Sequence, residues 1–340
     1  MMSHGPFVDI DFLHIGDYKT GTTWLQRDVF GRDPRINLVG EGSGEAEATL
    51  WALLESLSLS NDLDMDVWKG LFESQLSQDS RLRGISRESL ISPDFVYLDH
   101  WQRTADRMRE AFGSTKVIVT FRHQQSMLGS IYSTYLKNGG TKQPEDLFLA
   151  CDAAHRVKER FDYFAIASYY ASLFGRERCL FLSYNDLAAN PSRFLERLYN
   201  FIGIRPPADL GYSSRQNISY GQGPAAIQRI LNKAVRSTYN QSQRRPMLEP
   251  IIGAGIRTVS SRREHPLEVY RKHLLGDALE QGGHQYPIQN YQYLRTIRLV
   301  LEKLNFPPKL SINPSIWAEF RDCAETTNAK LENEFGVKLQ

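Results

Sequence analysis

The chain has 340 residues, 41% hydrophobic and 24% charged, with a net charge of +2. That length can bury a sizeable core, and the composition is that of an ordinary globular protein. A balance so near neutrality gives no global reason to expect nucleic acid, so polyanion binding would have to rest on local basic residues. The three cysteines, Cys151, Cys179 and Cys323, are scattered and odd in number, which suggests neither a disulfide framework nor a zinc site. No run reaches the ~18 apolar residues of a membrane span, and the N-terminus lacks a basic region followed by an apolar core.

In chain order, Phe12, Leu13 and Ile15 make a compact apolar run that predicts a short buried strand. Trp24, Leu25, Val29 and Phe30 then fall at helical spacing. Residues 35–39 predict a second strand, closing on the acidic glycine-rich loop Gly40-Glu-Gly-Ser-Gly44-Glu45. From Ala46 to Leu76 the spacing is helical, with a break near Ser60-Asn-Asp62. A strand ending near Ser86 leads into a turn, and a helix is expected from about Trp101 to Phe112, stopped by Gly113.

Lys116-Val-Ile-Val-Thr-Phe121 is the clearest strand; it ends in Arg122, and a helix runs on towards Asn138-Gly-Gly140. Cys179-Leu-Phe-Leu-Ser183 predicts another strand, followed by Tyr184 and a helix from Pro191 to Phe201. Strands alternating with helices imply an α/β fold with a parallel sheet flanked by helices. Residues 204–224 read as a long loop, and helical spacing returns at Ile227, Ile230, Leu231 and Val235. The expectation is one domain over 1–340, with a core of about 8–235 and a mostly helical C-terminal extension, 236–340, packed on it.

Between the first strand and the first helix lie Gly16, Lys19, Thr20, Gly21, Thr22 and Thr23. A glycine-containing turn entering a helix makes an anion site, because the first helical N–H groups lack intrahelical partners and the helix dipole points the same way. A Walker-type loop needs its lysine directly after the second glycine; here Thr22 holds that position and Lys19 lies two residues before Gly21. The run Lys19-Thr-Gly-Thr-Thr-Trp24 resembles the 5′-phosphosulfate loop of sulfotransferases that use 3′-phosphoadenosine 5′-phosphosulfate (PAPS). A plain Gly/Thr-rich turn with an exposed lysine is the alternative.

A second match lies at Arg122 and, eight residues on, Ser130. An arginine at the carboxyl end of a strand faces the crevice where open α/β sheets bind ligands, and its planar fork suits phosphate. The pair is similar to the family's 3′-phosphate site. Tyr184-Asn-Asp-Leu and the loop around Arg215 are similar to later family segments, although Asn185 stands where relatives carry an acid. No Asp ends the strand before Arg122 in the way that holds Mg²⁺ in NTPases.

The resemblance implies a P-loop-like sulfotransferase fold, PAPS as co-substrate with no metal required, and an acceptor hydroxyl on a small molecule or glycan. It gives Lys19 the role of stabilising the departing phosphate of PAP, and assigns cofactor contacts to residues 19–24, Arg122, Ser130, Tyr184 and Arg215. A general base is also needed. Aligned with the family's turn, Glu88 takes that role, with Glu41 as rival; His100, His123 and His14 are weaker candidates. Cytoplasmic location is expected, with a Golgi-lumenal form lacking its anchor as the other possibility. A nucleotide-dependent kinase and a non-catalytic PAP-binding module remain as alternatives.

Overall fold

A computed structural model describes residues 7–207, apart from 93, 95 and 151, together with 222–233 and 312–339. Five strands, β1 (Phe12–His14), β2 (Ile36–Leu38), β3 (Leu82–Ser86), β4 (Lys116–Phe121) and β5 (Cys179–Ser183), form one sheet in the order β2-β3-β1-β4-β5. Every pairing is parallel. From β1 the chain moves to one side for β2 and β3, then crosses β1 to build β4 and β5 on the other. The carboxyl end of β1 is therefore a topological switch point, where open parallel sheets hold their ligands.

Strands buried on both faces read as continuous apolar runs, and β1 and β4 do so. Their side chains divide by alternation between two core layers. Phe12 and Ile118 join Leu25, Val29, Phe30, Leu182 and Leu198 on one face. Leu13, Ile15, Val117 and Val119 join Leu54, Trp68, Met108 and Tyr170 on the other.

The helices Glu45–Leu59, Met65–Gln75 and Trp101–Phe112 follow the predicted spacing. Asp64 starts the second of these by accepting from the N–H groups of Asp66 and Val67, and Trp68 fixes it to the first through an Nε1–H bond to the Leu53 carbonyl, 2.8 Å. Asn190 and Pro191 start the helix Pro191–Ile202, and Gly203, with φ 95°, ends it. The predicted helix after the first loop departs from α geometry. Only Thr22–Trp24 is α-helical; Leu25–Val29 is a π turn and Phe30–Arg32 is 3-10.

Three α-helices stand among the described residues of 141–178, where the sequence reading assigns none: Pro144–Phe148, Ala153–Phe161 and Tyr163–Phe174. A long helix, Pro314–Phe335, sets Phe335 edge-on to Phe181 of β5, 4.9 Å between centroids. Residues 236–311 of the expected C-terminal extension lie outside the described residues.

The chain divides into two compact units: 1–127, 155–216 and 320–340 form one, and 128–154 with 217–319 the other. The first holds the sheet. In the second, Asn232 at the end of the helix Gln222–Asn232 donates to the carbonyls of Leu136 and Gly140, at 2.8 and 2.7 Å.

Gly84 in β3 pairs with Phe12 of β1, and a Cβ there would stand 2.2 Å from the Phe12 ring. Gly84→Ala should therefore overpack the sheet and lower stability by about 1–3 kcal/mol, read as a drop in the urea midpoint. An unchanged midpoint would mean that the ring can turn aside.

Candidate functional site

The loop after β1 is held in shape by its own side chains. Asp17 accepts from the Tyr18 N–H at 2.7 Å, and its carbonyl accepts from the Thr20 hydroxyl at 2.5 Å. Lys19 and Gly21 both have positive φ, 66° and 85°. A Cβ at Gly21 would lie 2.8 Å from Leu187, so both conformation and space call for glycine there. The Lys19 side chain is exposed, Thr20 and Thr22 are buried, and Thr23 is exposed.

Because the strands are parallel, β3 and β4 deliver their carboxyl ends to the same rim. At the end of β3 the Thr22 hydroxyl donates to the Glu88 carboxylate. Three further bonds attach this turn to the loop's own strand and helix. The Arg87 N–H donates to the His14 carbonyl at 2.9 Å. His14 Nδ1 and Ser86 Oγ are 2.7 Å apart, and Gln26 Nε2 donates to the Ser86 carbonyl at 2.9 Å. Burial pushes the Glu88 carboxyl up to about 7, against the opposing pull of Lys19.

The rival Glu41 is engaged differently. It pairs with Arg87 at 3.1 Å, and the same guanidinium reaches Glu55 at 3.3 Å and the Gly40 carbonyl at 3.0 Å while lying over the Trp51 ring. Burial raises the Glu41 carboxyl and Arg87 lowers it in part. Among the histidines, His14 is fully buried and burial takes its pKa down to about 4, so it is neutral near pH 7. Burial also lowers His123.

At the end of β4, Arg122 donates from Nη1 to the Lys19 carbonyl and from Nε to the Ser126 hydroxyl, each at 3.1 Å. Its guanidinium lies over the Tyr184 ring, 5.0 Å away. Tyr184 opens the helix Tyr184–Ala189 after β5 and packs, with Trp24, on the apolar layer that includes Leu187. Ser130 is buried on the helix Gln124–Lys137, which follows Arg122. Arg215 lies outside the described residues.

The structure thus brings together Lys19, Thr20, Gly21, Thr22, Trp24, Glu88, Arg122 and Tyr184. A glycine-containing turn entering a helix, a carboxyl group that burial raises to about 7 and a partly buried arginine share one rim, a set chemically suited to group transfer from an anionic donor. Sequence reasoning missed the buried ion pair, 2.5 Å, between Asp17 of the loop and Arg160. Nothing in the spacing of residues 143 apart could have announced it. Among the described residues no cluster of three or more His, Cys, Asp or Glu could hold a metal ion, and no helix is long and apolar enough to cross a membrane.

Residues 92–208 match the family model described as "Sulfotransferase family". Among solved structures, the chain is similar to a sulfotransferase from Alicyclobacillus acidocaldarius at 18% identity and TM-score 0.42, covering 62% of this chain and 87% of that one. It is also similar to a sulfotransferase domain from the curacin biosynthetic pathway (14% identity, TM-score 0.37, 83% and 100% covered). A third is the sulfotransferase domain of the Synechococcus PCC 7002 olefin synthase (17% identity, TM-score 0.40, 84% and 98% covered). No curated protein matches.

The raised carboxyl of Glu88 has a consequence for stability. Its ordinary value is 4.5 and its folded value about 7, so between those limits the folded state binds more protons than the unfolded one. Stability from this group is therefore lost as pH rises from about 4.5 through 7, and levels off above. Glu88→Gln removes that titration. Melting temperatures of the two proteins should diverge in favour of the variant as pH rises through this window, and run parallel above it. A constant difference across the window would show an unperturbed carboxylate.

Proposed function

We propose that this chain, which matches the sulfotransferase family model over residues 92–208, is an enzyme that moves a sulfuryl group from PAPS to an acceptor hydroxyl. The matched segment contains Arg122, Ser130 and Tyr184 but neither the loop at 19–24 nor Glu88. The observation that carries the mechanistic reading is the Thr22–Glu88 bond, which sets a near-neutral carboxyl group against the loop that would receive the donor's phosphate.

In this reading the loop backbone from Thr20 to Trp24 binds the 5′-phosphosulfate, and Trp24 and Tyr184 flank the adenine. Arg122 and Ser130 bind the 3′-phosphate. Glu88 takes the acceptor proton as the acceptor oxygen attacks sulfur. The sulfur–oxygen bond to the 5′-phosphate breaks in line, leaving its electron pair on PAP, where Lys19 stabilises the developing charge. Glu88 is preferred to Glu41 because the Glu41 carboxylate is paired with Arg87. We take the acceptor to be a carbohydrate hydroxyl, the donor site to need no metal, and the compartment to be cytoplasmic.

A thermal-shift panel of PAP, PAPS, ATP and GTP, with and without Mg²⁺, tests the donor. PAP should stabilise the fold without metal, since a ligand that binds only the native state raises its stability. A shift with Mg-ATP and none with PAP would overturn the proposal.

Arg122→Ala should weaken PAP more than AMP, because AMP lacks the 3′-phosphate. Some loss for AMP is expected as well, since Arg122 also holds the Lys19 carbonyl. Equal losses for the two nucleotides would remove Arg122 from the 3′-phosphate site.

Glu88→Gln should lower turnover by ~10²–10⁴-fold with PAP affinity near wild type, the usual contribution of a positioned base. Glu41→Gln is the paired variant. If Glu41→Gln instead carries that loss, the base lies on the glycine-rich loop.

A further inference from the structure

An acid inside an anion-binding loop is a physical contradiction, and Asp17 is such an acid. Its side chain is 1% exposed and sits between Gly16 and Lys19. Its Oδ1 receives both the Tyr18 N–H and Nη2 of Arg160, at 2.7 and 2.5 Å. Arg160 is 0% exposed, on the helix Ala153–Phe161. Burial raises the Asp17 carboxyl, and the Arg160 charge is the largest influence pulling it back.

Such a pair is a poor choice for stability alone. Desolvating two ions costs several kcal/mol each, and well-packed apolar residues often serve as well. Nor is the pair fully satisfied. Asp17 Oδ2 and Arg160 Nε and Nη1 are buried with no hydrogen-bond partner among the described residues. The arginine is nevertheless firmly placed. One turn earlier, Arg156 pairs with Asp99 and lies over the Tyr97 ring at 3.8 Å. Three residues later, the Tyr163 hydroxyl donates to the Arg122 carbonyl at 2.9 Å.

We propose that Arg160 is a positioning residue that keeps the loop an anion site. It cancels the charge of Asp17, so that the aspartate can brace the Tyr18 and Thr20 positions without repelling the incoming phosphate. This rests on the loop binding a nucleotide phosphate, as proposed above. Arg160 lies beneath the loop and touches no substrate in this scheme. Its effect is electrostatic, through the sign of the loop's net charge.

The inference predicts an order of affinities that a packing role would not produce. Measured by calorimetry with PAP, Asp17→Asn should bind at least as tightly as wild type, because the arginine charge is unmasked beneath the phosphate. Arg160→Gln should bind on the order of tenfold more weakly, as expected for one unpaired charge at short range in a partly desolvated site. The double variant Asp17→Asn/Arg160→Gln should return close to wild type. Adenosine, which has no phosphate, should not follow this order.

If either single variant fails to fold, the double variant still decides, since it buries no unpaired charge: PAP binding well below wild type there overturns the proposal. Weaker PAP binding in both Asp17→Asn and the double variant would overturn the proposal. Inorganic pyrophosphate serves as a second probe that needs no nucleotide site. Should wild type ignore PAP yet bind pyrophosphate in the predicted order of variants, the sulfotransferase reading fails while the role of Arg160 stands. Binding of both probes with no dependence on either charge defeats the Arg160 inference alone.

Discussion

The pairing of β1 between β3 and β4 is the constraint on which the rest depends. Register sets His14 opposite Ser86 on one side and Ile118 on the other. Parallel strands discharge their chains at the same rim, so the residues that follow β1, β3 and β4 must emerge together. Two residues past Ser86 comes Glu88, and one past Phe121 comes Arg122. Neither needs a long loop to reach the glycine-rich turn after β1. Side chains at the ends of rigid strands are also held more closely than side chains on loops.

Charge at this rim is arranged in couples rather than as a uniform basic patch. Arg87 is taken up by Glu41 and Glu55, and Arg160 by Asp17. Lys19 and Glu88 act on each other, the lysine lowering a carboxyl that burial raises. An anion bound at the loop would add negative charge beside Glu88 and favour its protonated form. Lys19 opposes that effect, and in the proposed reaction it would also stabilise the leaving phosphate. One exposed cation therefore bears on both halves of the proposed reaction, the leaving phosphate and the state of the base.

Much of the fold was legible because it follows from local chemistry. Lys116–Phe121 and Cys179–Ser183 are apolar runs bounded by turn residues, and Trp101–Phe112 ends at a glycine with positive φ. Lys19, two residues before Gly21, and Arg122, just past β4, stand on one rim because each follows the carboxyl end of one of two neighbouring parallel strands. What escaped is non-local. The three helices within 141–178 carry Arg156 and Arg160, whose partners Asp99 and Asp17 lie 57 and 143 residues away. On a sequence these arginines look like the solvated face of an ordinary helix. The π turn at Leu25–Val29 was also invisible, since Trp24, Leu25, Val29 and Phe30 satisfy an α-helical spacing equally well.

That π turn bears on the state of the site. Widening the helix by one residue at Leu25–Val29 lets Leu25, Val29 and Phe30 all face the sheet, where Phe30 meets Phe12 at 5.2 Å and His14 at 5.8 Å. The ring of Phe30 helps seal His14 from water, and burial lowers that histidine from 6.5 to about 4. A neutral His14 is the partner of Ser86, on whose carbonyl Gln26 also holds. For His14 the unfolded state binds more protons, so its contribution to stability is lost as pH falls from about 6.5 through 4. For Glu88 the slope has the opposite sign between 4.5 and about 7. Over the shared interval the two largely cancel, each changing proton binding by about one. Within this pair, the histidine that holds the Ser86 turn offsets the carboxyl group beside it, while burial raises the Asp17 and Glu41 carboxyls of the same rim as well.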